Sequence, residues 1–176
     1  MAIKSSVGFI GVGIMGNPIG RHLIARGHEL VVYDRSESAI QAMVASGATA
    51  ASSIQDVVDR VSVVFTSLPS PAVFNEVMLG KGGIRDGSLV KVVVDLSTVG
   101  SRATKHAAAE LLLNGIDLVD APVSGGAAGA KAGSLAVMVS GREAAVTQVR
   151  EMLETFGKIF MVGAEPGQAQ LLKLLN

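Results

Sequence analysis

Short apolar runs alternate with amphipathic stretches of helix length through the first 120 residues of the chain. The apolar runs predict strands at residues 6–10, 30–34, 61–66, 91–95 and 116–120. The amphipathic stretches predict helices at residues 14–26, 36–46, 53–59, 71–78 and 100–114. Because strands that alternate with helices form right-handed βαβ crossovers, this pattern predicts an α/β fold with a doubly wound, mostly parallel sheet of the Rossmann type.

The alternation changes after residue 120. A run of small residues at 121–129 is typical of a loop. Beyond it the pattern predicts a strand at 134–140, a helix at 142–155 and a short strand at 158–162. These elements predict a few extra strands at one edge of the parallel sheet.

The last residues predict a helix that has no stop signal. Glu165, Pro166 and Gly167 begin a new segment, and the apolar stretch 168–176 follows without a closing glycine or proline. We expect residues 163–176 to begin an interdomain helix that leads into a second domain, although a natural short C-terminal helix also fits. Since an uncovered leucine cluster is unfavourable in water, we expect this helix either to pack on a neighbouring chain in a homo-oligomer or to be disordered.

Composition narrows the classes of function. Of the 176 residues, 49% are hydrophobic and 17% are charged, which suits parallel strands covered on both faces. The 15 basic and 15 acidic side chains form no basic stripe, so neither nucleic acid nor an anionic membrane is an expected partner. No apolar stretch reaches the roughly 20 residues of a membrane span. The first strand follows too closely on Met1 for a signal peptide, and we therefore expect a cytoplasmic location.

Metal and thiol chemistry have little support in the sequence. The chain contains no cysteine, which excludes disulfides, thiol catalysis and thiolate metal sites within it. His22, His28 and His106 are scattered without the spacing of metal ligands. We expect no metal cofactor.

A glycine-rich turn follows the first predicted strand directly. It consists of Gly11, Val12, Gly13, Ile14, Met15 and Gly16. The first glycine permits the tight turn, the second lets a pyrophosphate approach bare backbone, and the third lets the helix pack against the strand. The N-terminus of the helix faces the phosphate charge. This arrangement predicts a dinucleotide-binding domain over residues 1–162.

An acidic residue ends the second predicted strand. Asp34 follows the apolar run 30–33, about twenty residues beyond the glycines, which is the spacing of a carboxylate that binds the adenosine ribose. Such a carboxylate repels a 2′-phosphate and favours NAD, whereas an arginine nearby accommodates NADP. Arg35 stands next to Asp34, so the sequence favours NAD as the cofactor and leaves NADP possible.

Two later loops follow strand ends and should therefore border the cofactor. Leu68 and Pro69 come after the strand at 61–66, although such a pair is also common in ordinary turns. Ser97 and Thr98 come after the strand at 91–95, where either one could contact the cofactor or cap the next helix. From the residues alone the cap is the better-supported role.

Ser124, Gly125 and Gly126 expose successive backbone N–H groups and a hydroxyl, which is a natural cradle for a carboxylate or phosphate. A flexible surface loop is the alternative. Lys173 lies among leucines, where a lysine usually extends its ammonium group to water. Desolvation would instead make Lys173 a usable proton donor or acceptor. Asn176, one turn further along, could hold Lys173 or a substrate hydroxyl.

Four motifs occur in the same order as in the 3-hydroxyisobutyrate dehydrogenase (β-hydroxyacid dehydrogenase) family, and the resemblance covers the whole chain. They lie at residues 8–16, 95–98, 120–126 and 167–176. The resemblance implies transfer of a hydride between NAD(P) and a small β-hydroxyacid of the 3-hydroxyisobutyrate, tartronate-semialdehyde or threonate type.

The same resemblance implies roles for individual residues. The segment 124–126 would bind the substrate carboxylate, and Leu68, Pro69 and Thr98 would contact the cofactor on its nicotinamide side. Lys173 would transfer the proton.

The chain departs from the family pattern in two ways. The family continues into an all-helical second domain that contributes a further basic residue to the substrate pocket, and its final motif usually carries two asparagines where this chain has Asn176 alone. Two alternative functions remain: a relative of 6-phosphogluconate dehydrogenase, or a non-catalytic dinucleotide-binding module. An imine-reducing relative would be expected to lack Lys173.

Overall fold

The computed structural model describes residues 6–175. Its strands are β1 (Ser6–Ile10), β2 (Glu29–Tyr33), β3 (Thr49–Ala50), β4 (Val63–Thr66), β5 (Val92–Asp95), β6 (Asp117–Asp120), β7 (Val123–Ser124), β8 (Leu135–Ser140) and β9 (Gly157–Gly163). Its helices are α1 (Gly16–Ala25), α2 (Glu37–Val44), α3 (Ile54–Val58), α4 (Pro71–Leu79), α5 (Ser101–Leu112), α6 (Gly126–Ala132), α7 (Glu143–Leu153) and α8 (Gln168–Leu174). Every element predicted from the sequence is present, with its ends moved by two residues or fewer.

Six strands run parallel in the order β3-β2-β1-β4-β5-β6. The direction of winding reverses at β1, whose Ile10 pairs with Tyr33 on one side and Thr66 on the other. Such a reversal opens a crevice beyond the carboxyl ends of the strands. The predicted doubly wound, mostly parallel α/β fold is confirmed.

The extra strands at the edge of the sheet pair with β8. Strands β6 and β7 both pair antiparallel with β8, in one continuous register from Asp120–Ser140 to Ser124–Ala136. Strand β9 pairs parallel with β8. The predicted addition of a few strands at one edge of the sheet is confirmed.

The prediction of a loop over 121–129 is wrong, because this segment contains β7 and the first half of α6. Apart from Lys131, helix α6 is built of alanine and glycine, so it has no apolar stripe that sequence periodicity could reveal. Gly125 and Gly126 have φ values of 130° and 60°, a conformation that glycine adopts without strain, and they turn the chain from β7 into this helix. Strand β3 was also not predicted, since two residues carry no periodic pattern.

Local capping fixes where several helices begin. The hydroxyls of Ser36, Ser53 and Ser70 accept hydrogen bonds from backbone N–H groups in the first turns of α2, α3 and α4. Helix α1 begins differently, since within the described residues no side chain caps it. In its first turn the backbone N of Asn17 donates to the carbonyl oxygen of Gly13 at 2.9 Å.

Two apolar clusters cover the two faces of the sheet. Helices α1, α2, α6 and α7 pack on one face and α3, α4 and α5 on the other. Neighbouring strand residues such as Val93 and Val94 point into opposite clusters, which is why the parallel strands are apolar throughout. On the first face the ring of Phe65 stacks on Phe9 and meets Phe156 edge-on. Within residues 6–175, no helix has the length and apolar character needed to cross a membrane.

Candidate dinucleotide site

A cavity of about 460 Å³ lies at the reversal of strand order, beyond the carboxyl ends of β1, β2 and β4. Nine of the predicted cofactor residues line it: Gly11, Gly13, Ile14, Met15, Gly16, Asp34, Arg35, Leu68 and Pro69. Sequence reasoning missed seven others, namely Ile10, Tyr33, Ile54, Ser67, Val73, Glu76 and Val77. The tertiary structure therefore gathers segments that lie far apart in the chain around one crevice.

The three glycines of the turn meet three different constraints. Gly11 has a φ of 87°, and a Cβ added to it would overlap the carbonyl oxygen of Ser67. A Cβ on Gly16 would overlap the carbonyl oxygen of Gly11. A Cβ on Gly13 would meet no heavy atom of the described residues within 4 Å, so this backbone borders open space. Bare backbone beside the uncapped start of α1 fits a bound diphosphate.

Asp34 is held in place by the glycine-rich turn itself. Its Oδ2 accepts a hydrogen bond from the backbone N of Val12 at 2.8 Å, and its Oδ1 accepts one from the backbone N of Ser36 at 2.8 Å. The side chain of Val12 is buried in the core, and this predicted cofactor residue is not among the described residues that line the cavity. The carboxylate stands at the end of β2, with Arg35 beside it on the cavity wall.

Apolar side chains form another part of the cavity lining, namely Leu68, Pro69, Ile54, Val73 and Val77. The backbone N of Leu68 donates to Oγ of Ser97 at 2.8 Å, which ties this loop to the end of β5. Thr98, the next residue, is exposed and is not among the residues that line the cavity in the described structure.

Ser97 is oriented by a fully buried carboxyl group. Oδ1 of Asp95 accepts hydrogen bonds from Oγ of Ser97 at 2.6 Å and from Oγ1 of Thr66 at 2.7 Å. Oδ2 of Asp95 has no hydrogen-bond partner among residues 6–175. Burial raises the pKa of Asp95 to about 6, and the nearby charge of Asp120 adds to the effect.

Asp120 anchors the start of α8. Its Oδ2 accepts hydrogen bonds from the backbone N of Gly167 at 2.9 Å and from the backbone N of Gln170 at 3.2 Å. Burial raises the pKa of this carboxyl above its ordinary value. Sequence reasoning missed both carboxyl groups as structural anchors; the only signal was an aspartate at the end of each apolar strand. Within the described residues, no group of three His, Cys, Asp or Glu side chains could hold a metal ion.

Of the predicted substrate and proton-transfer residues, Ser124, Gly125, Gly126 and Lys173 are not among the residues that line the cavity. Ser124 ends β7, and Gly125 and Gly126 are exposed where α6 begins. Lys173 is half-buried on α8, on the face that also carries the buried Gln170. Asn176 lies outside the described residues.

Comparison with known proteins identifies the domain. The sequence profile of a family described as the NAD binding domain of 6-phosphogluconate dehydrogenase matches residues 6–163. The chain belongs to this family. The nicotinamide dinucleotide predicted as cofactor from the glycine-rich turn is thereby confirmed.

Curated relatives also confirm the resemblance to the 3-hydroxyisobutyrate dehydrogenases. The 2-(hydroxymethyl)glutarate dehydrogenase of Eubacterium barkeri is 38% identical over 97% of this chain and 57% of its own length. The mitochondrial 3-hydroxyisobutyrate dehydrogenase of Rattus norvegicus is 36% identical over 100% of this chain and 53% of its own length. The chain thus spans little more than half the length of these relatives.

Solved structures match the fold closely. A 3-hydroxyisobutyrate dehydrogenase of Mycobacterium tuberculosis with L-serine superposes with a TM-score of 0.88 at 30% identity, over 99% of this chain and 59% of its own. An imine reductase of Streptomyces aurantiacus superposes with a TM-score of 0.87 at 29% identity, over 97% and 60%. The domain is therefore shared by enzymes named for different reactions.

Proposed function

We propose that the protein is an oxidoreductase that moves a hydride between NAD and a small β-hydroxyacid of the 3-hydroxyisobutyrate, tartronate-semialdehyde or threonate type. The observation that carries this proposal is the cavity in which bare glycine backbone and Asp34 stand beyond the ends of β1 and β2. Relatives named as dehydrogenases or reductases of small hydroxy- and oxo-acids support the substrate class.

The cofactor residues act by binding and orientation. The glycine-rich turn at the N-terminal end of α1 holds the diphosphate, and Asp34 accepts hydrogen bonds from the adenosine ribose hydroxyls. The Asp34 charge repels a 2′-phosphate, which favours NAD, while Arg35 on the same wall leaves NADP possible. Leu68, Pro69 and Thr98 orient the nicotinamide side. When bound, the cofactor supplies the hydride chemistry.

The substrate residues bind the carboxylate and move a proton. Ser124, Gly125 and Gly126 offer backbone N–H groups and a hydroxyl to the substrate carboxylate. Lys173 takes the hydroxyl proton at Nζ during oxidation and returns a proton to the carbonyl oxygen during reduction. Asn176 holds Lys173 or the substrate hydroxyl.

Titration of the chain with NADH and NADPH tests the cofactor site. We expect binding that raises the melting temperature of the protein, with NADH bound more tightly than NADPH. The absence of both heat and a melting shift at millimolar nucleotide would overturn the proposal.

Measurements of turnover test the proposed role of Lys173 in proton transfer. Since the chain spans 57% of 2-(hydroxymethyl)glutarate dehydrogenase, the assay uses this chain alone and this chain joined to the remaining part of that relative. We expect weak turnover from the chain alone. In the active form Lys173→Ala lowers kcat by about 100-fold or more, while Lys158→Ala, which removes an exposed lysine of β9, leaves it unchanged. A loss of less than about threefold in Lys173→Ala contradicts the role.

The same assay separates the other candidate functions. The family profile is named for 6-phosphogluconate dehydrogenase, and the similar structures include imine reductases, so 6-phosphogluconate and a cyclic imine join the substrate panel. Turnover of 6-phosphogluconate or of the imine in preference to the β-hydroxyacids replaces the β-hydroxyacid proposal. Nucleotide binding without any turnover indicates a non-catalytic module.

We also propose that residues 163–176 begin an interdomain helix, and that this helix contributes to a homo-oligomer. Its leucines are exposed, as at Leu174 (68%) and Leu175 (87%), and apolar side chains at such positions favour association in water. The cytoplasmic location stays a prediction, since the relatives include both bacterial and mitochondrial proteins.

A further inference from the structure

We propose that Gln170 is a positioning residue that joins α8, and with it Lys173, to the loops that border the dinucleotide cavity. The proposal rests on the function proposed above for the role of Lys173, whereas the physical link can be tested without it. The side chain of Gln170 is 1% exposed, and it reaches two strand ends at once.

The amide group of Gln170 has partners on every side. Its Oε1 accepts hydrogen bonds from the backbone N of Val99 and of Gly100, both at 3.0 Å. Its Nε2 donates to the carbonyl oxygen of Ser97 at 3.0 Å and to Oδ1 of Asp120 at 2.7 Å. The two acceptor bonds and two donor bonds match the full capacity of a primary amide.

On one side this amide reaches the cavity wall. It binds the carbonyl oxygen of Ser97, whose Oγ accepts the backbone N–H of Leu68 at 2.8 Å and donates to Asp95 at 2.6 Å. Leu68 lines the cavity. A displacement of Leu68 by a bound dinucleotide is therefore transmitted to Gln170 through the single residue Ser97.

On the other side the same amide fixes the start of α8. Asp120 accepts the Nε2–H of Gln170 and also the backbone N–H of Gly167 and of Gln170. Oγ of Ser140 accepts the backbone N–H of Ala169 at 3.0 Å. These bonds fix the rotation of the helix about its axis.

Apolar packing contributes little to the placement of α8. Ala169 is its buried apolar residue, whereas four leucines of the segment are exposed: Leu171, Leu172, Leu174 and Leu175. The orientation of the helix thus depends on its buried polar contacts. Lys173 follows Gln170 by three positions on the same face, so rotation of the helix moves Lys173 directly.

Glutamine can make all four of these side-chain hydrogen bonds, and its nearest substitutes cannot. Glutamate would direct a second acceptor at the carbonyl of Ser97 and the carboxylate of Asp120. Methionine has similar length but leaves the backbone N–H groups of Val99 and Gly100 without their acceptor. Gln168 provides a matched control, because its Oε1 accepts from the backbone N of Glu165 within the local turn.

Residue-resolved amide hydrogen exchange on the chain without nucleotide tests the link. In Gln170→Met we expect exchange to accelerate by about tenfold or more both at Val99 and Gly100 and along 167–173, with β1 and β4 unchanged. Gln168→Met accelerates only the amides around Glu165. Unchanged exchange in either the loop or the helix of Gln170→Met overturns the proposal, as does an equal effect of Gln168→Met.

The same measurement with saturating NADH separates this inference from the proposed function. In the wild type we expect NADH to add protection to the backbone amides of Leu68 and of Gln170. In Gln170→Met we expect NADH to protect Leu68 but no longer residue 170. The Kd for NADH should change by less than about threefold in this variant. If NADH does not bind, the proposed function fails while the exchange without nucleotide still decides the link. If Gln170→Met does not fold, Gln170→Asn replaces it, since an amide one methylene shorter cannot reach both strand ends, and its exchange is judged by the same criteria.

Discussion

Asp95 and Asp120 lie directly opposite each other at the carboxyl ends of β5 and β6, and both carboxyl groups are buried. Burial raises the pKa of each, and the Asp120 charge raises the pKa of Asp95 further, to about 6. The two groups serve different partners: Asp95 orients Ser97 beside the cavity, and Asp120 holds α8. Adjacent parallel strands thus place two like charges next to each other at the carboxyl end of the sheet.

The raised pKa of Asp95 predicts a specific dependence of stability on pH. Because its folded value of about 6 lies above the ordinary 3.8, the native state binds more protons than the unfolded state between these values. The contribution of this group to stability is therefore present below about pH 4 and is lost as pH rises through 6. Urea unfolding at about pH 4 and about pH 7.5 measures it.

Asp95→Asn removes the titrating carboxyl group and should therefore remove the loss of stability that this group causes as pH rises. We expect the fall in unfolding free energy between the two pH values to be smaller in the variant by up to about 3 kcal/mol, since two pKa units correspond to roughly that energy. An identical pH dependence in wild type and variant would show that Asp95 titrates normally.

Gly13→Ala should weaken NADH binding without affecting the fold. The added Cβ meets no atom of the described residues within 4 Å, so the melting temperature should stay within about 2 °C of the wild type. The methyl group occupies the space beside the turn where we propose that the diphosphate binds, which should raise the Kd for NADH by about tenfold or more. Calorimetric titration measures the change.

Gly16→Ala is the contrasting variant, because its Cβ overlaps the carbonyl oxygen of Gly11 and must lower the melting temperature. Wild-type affinity for NADH in Gly13→Ala would contradict the placement of the diphosphate.

Asp34→Asn should shift the preference between the two nucleotides. The substitution removes the charge that repels a 2′-phosphate and leaves Arg35 in place, so the affinity for NADPH relative to NADH should rise by about tenfold. Fluorescence titration with both nucleotides measures the ratio. Glu76→Gln removes a charge elsewhere in the lining of the same cavity and is expected to leave the ratio unchanged. Equal shifts in both variants would point to general electrostatics instead of recognition by Asp34.

Leu175→Glu should reduce self-association. Leu175 is 87% exposed on the apolar face of the C-terminal segment, and a charge placed there opposes burial against another chain. Leu113→Glu is the control, since Leu113 is 81% exposed but follows α5 on another part of the surface. Light scattering across a concentration series should show a lower mass for Leu175→Glu alone. A monomeric wild type at every concentration would refute association through this helix.

Local patterns were sufficient for the main elements of the fold and for most of the cofactor cavity. Strand and helix positions follow from apolar periodicity, because each element buries one face or both. The glycine-rich turn and Asp34 are recognisable from spacing, since the chemistry of a diphosphate and a ribose imposes it. Elements without periodicity, such as β3 and α6, escaped prediction.

The arrangement around α8 was determined by tertiary contacts alone. Gln170 meets Ser97 across 73 positions and Asp120 across 50, and no local pattern in a single sequence marks such partners. The sequence motif pointed to Lys173 on this helix, whereas the buried residue that we propose orients the helix is Gln170. Hydrogen bonds between distant segments depend on the path of the whole chain, whereas periodicity and turn chemistry depend only on neighbours. The sequence therefore specified the sheet and its nucleotide turn, and folding alone brought the two buried aspartates and Gln170 together.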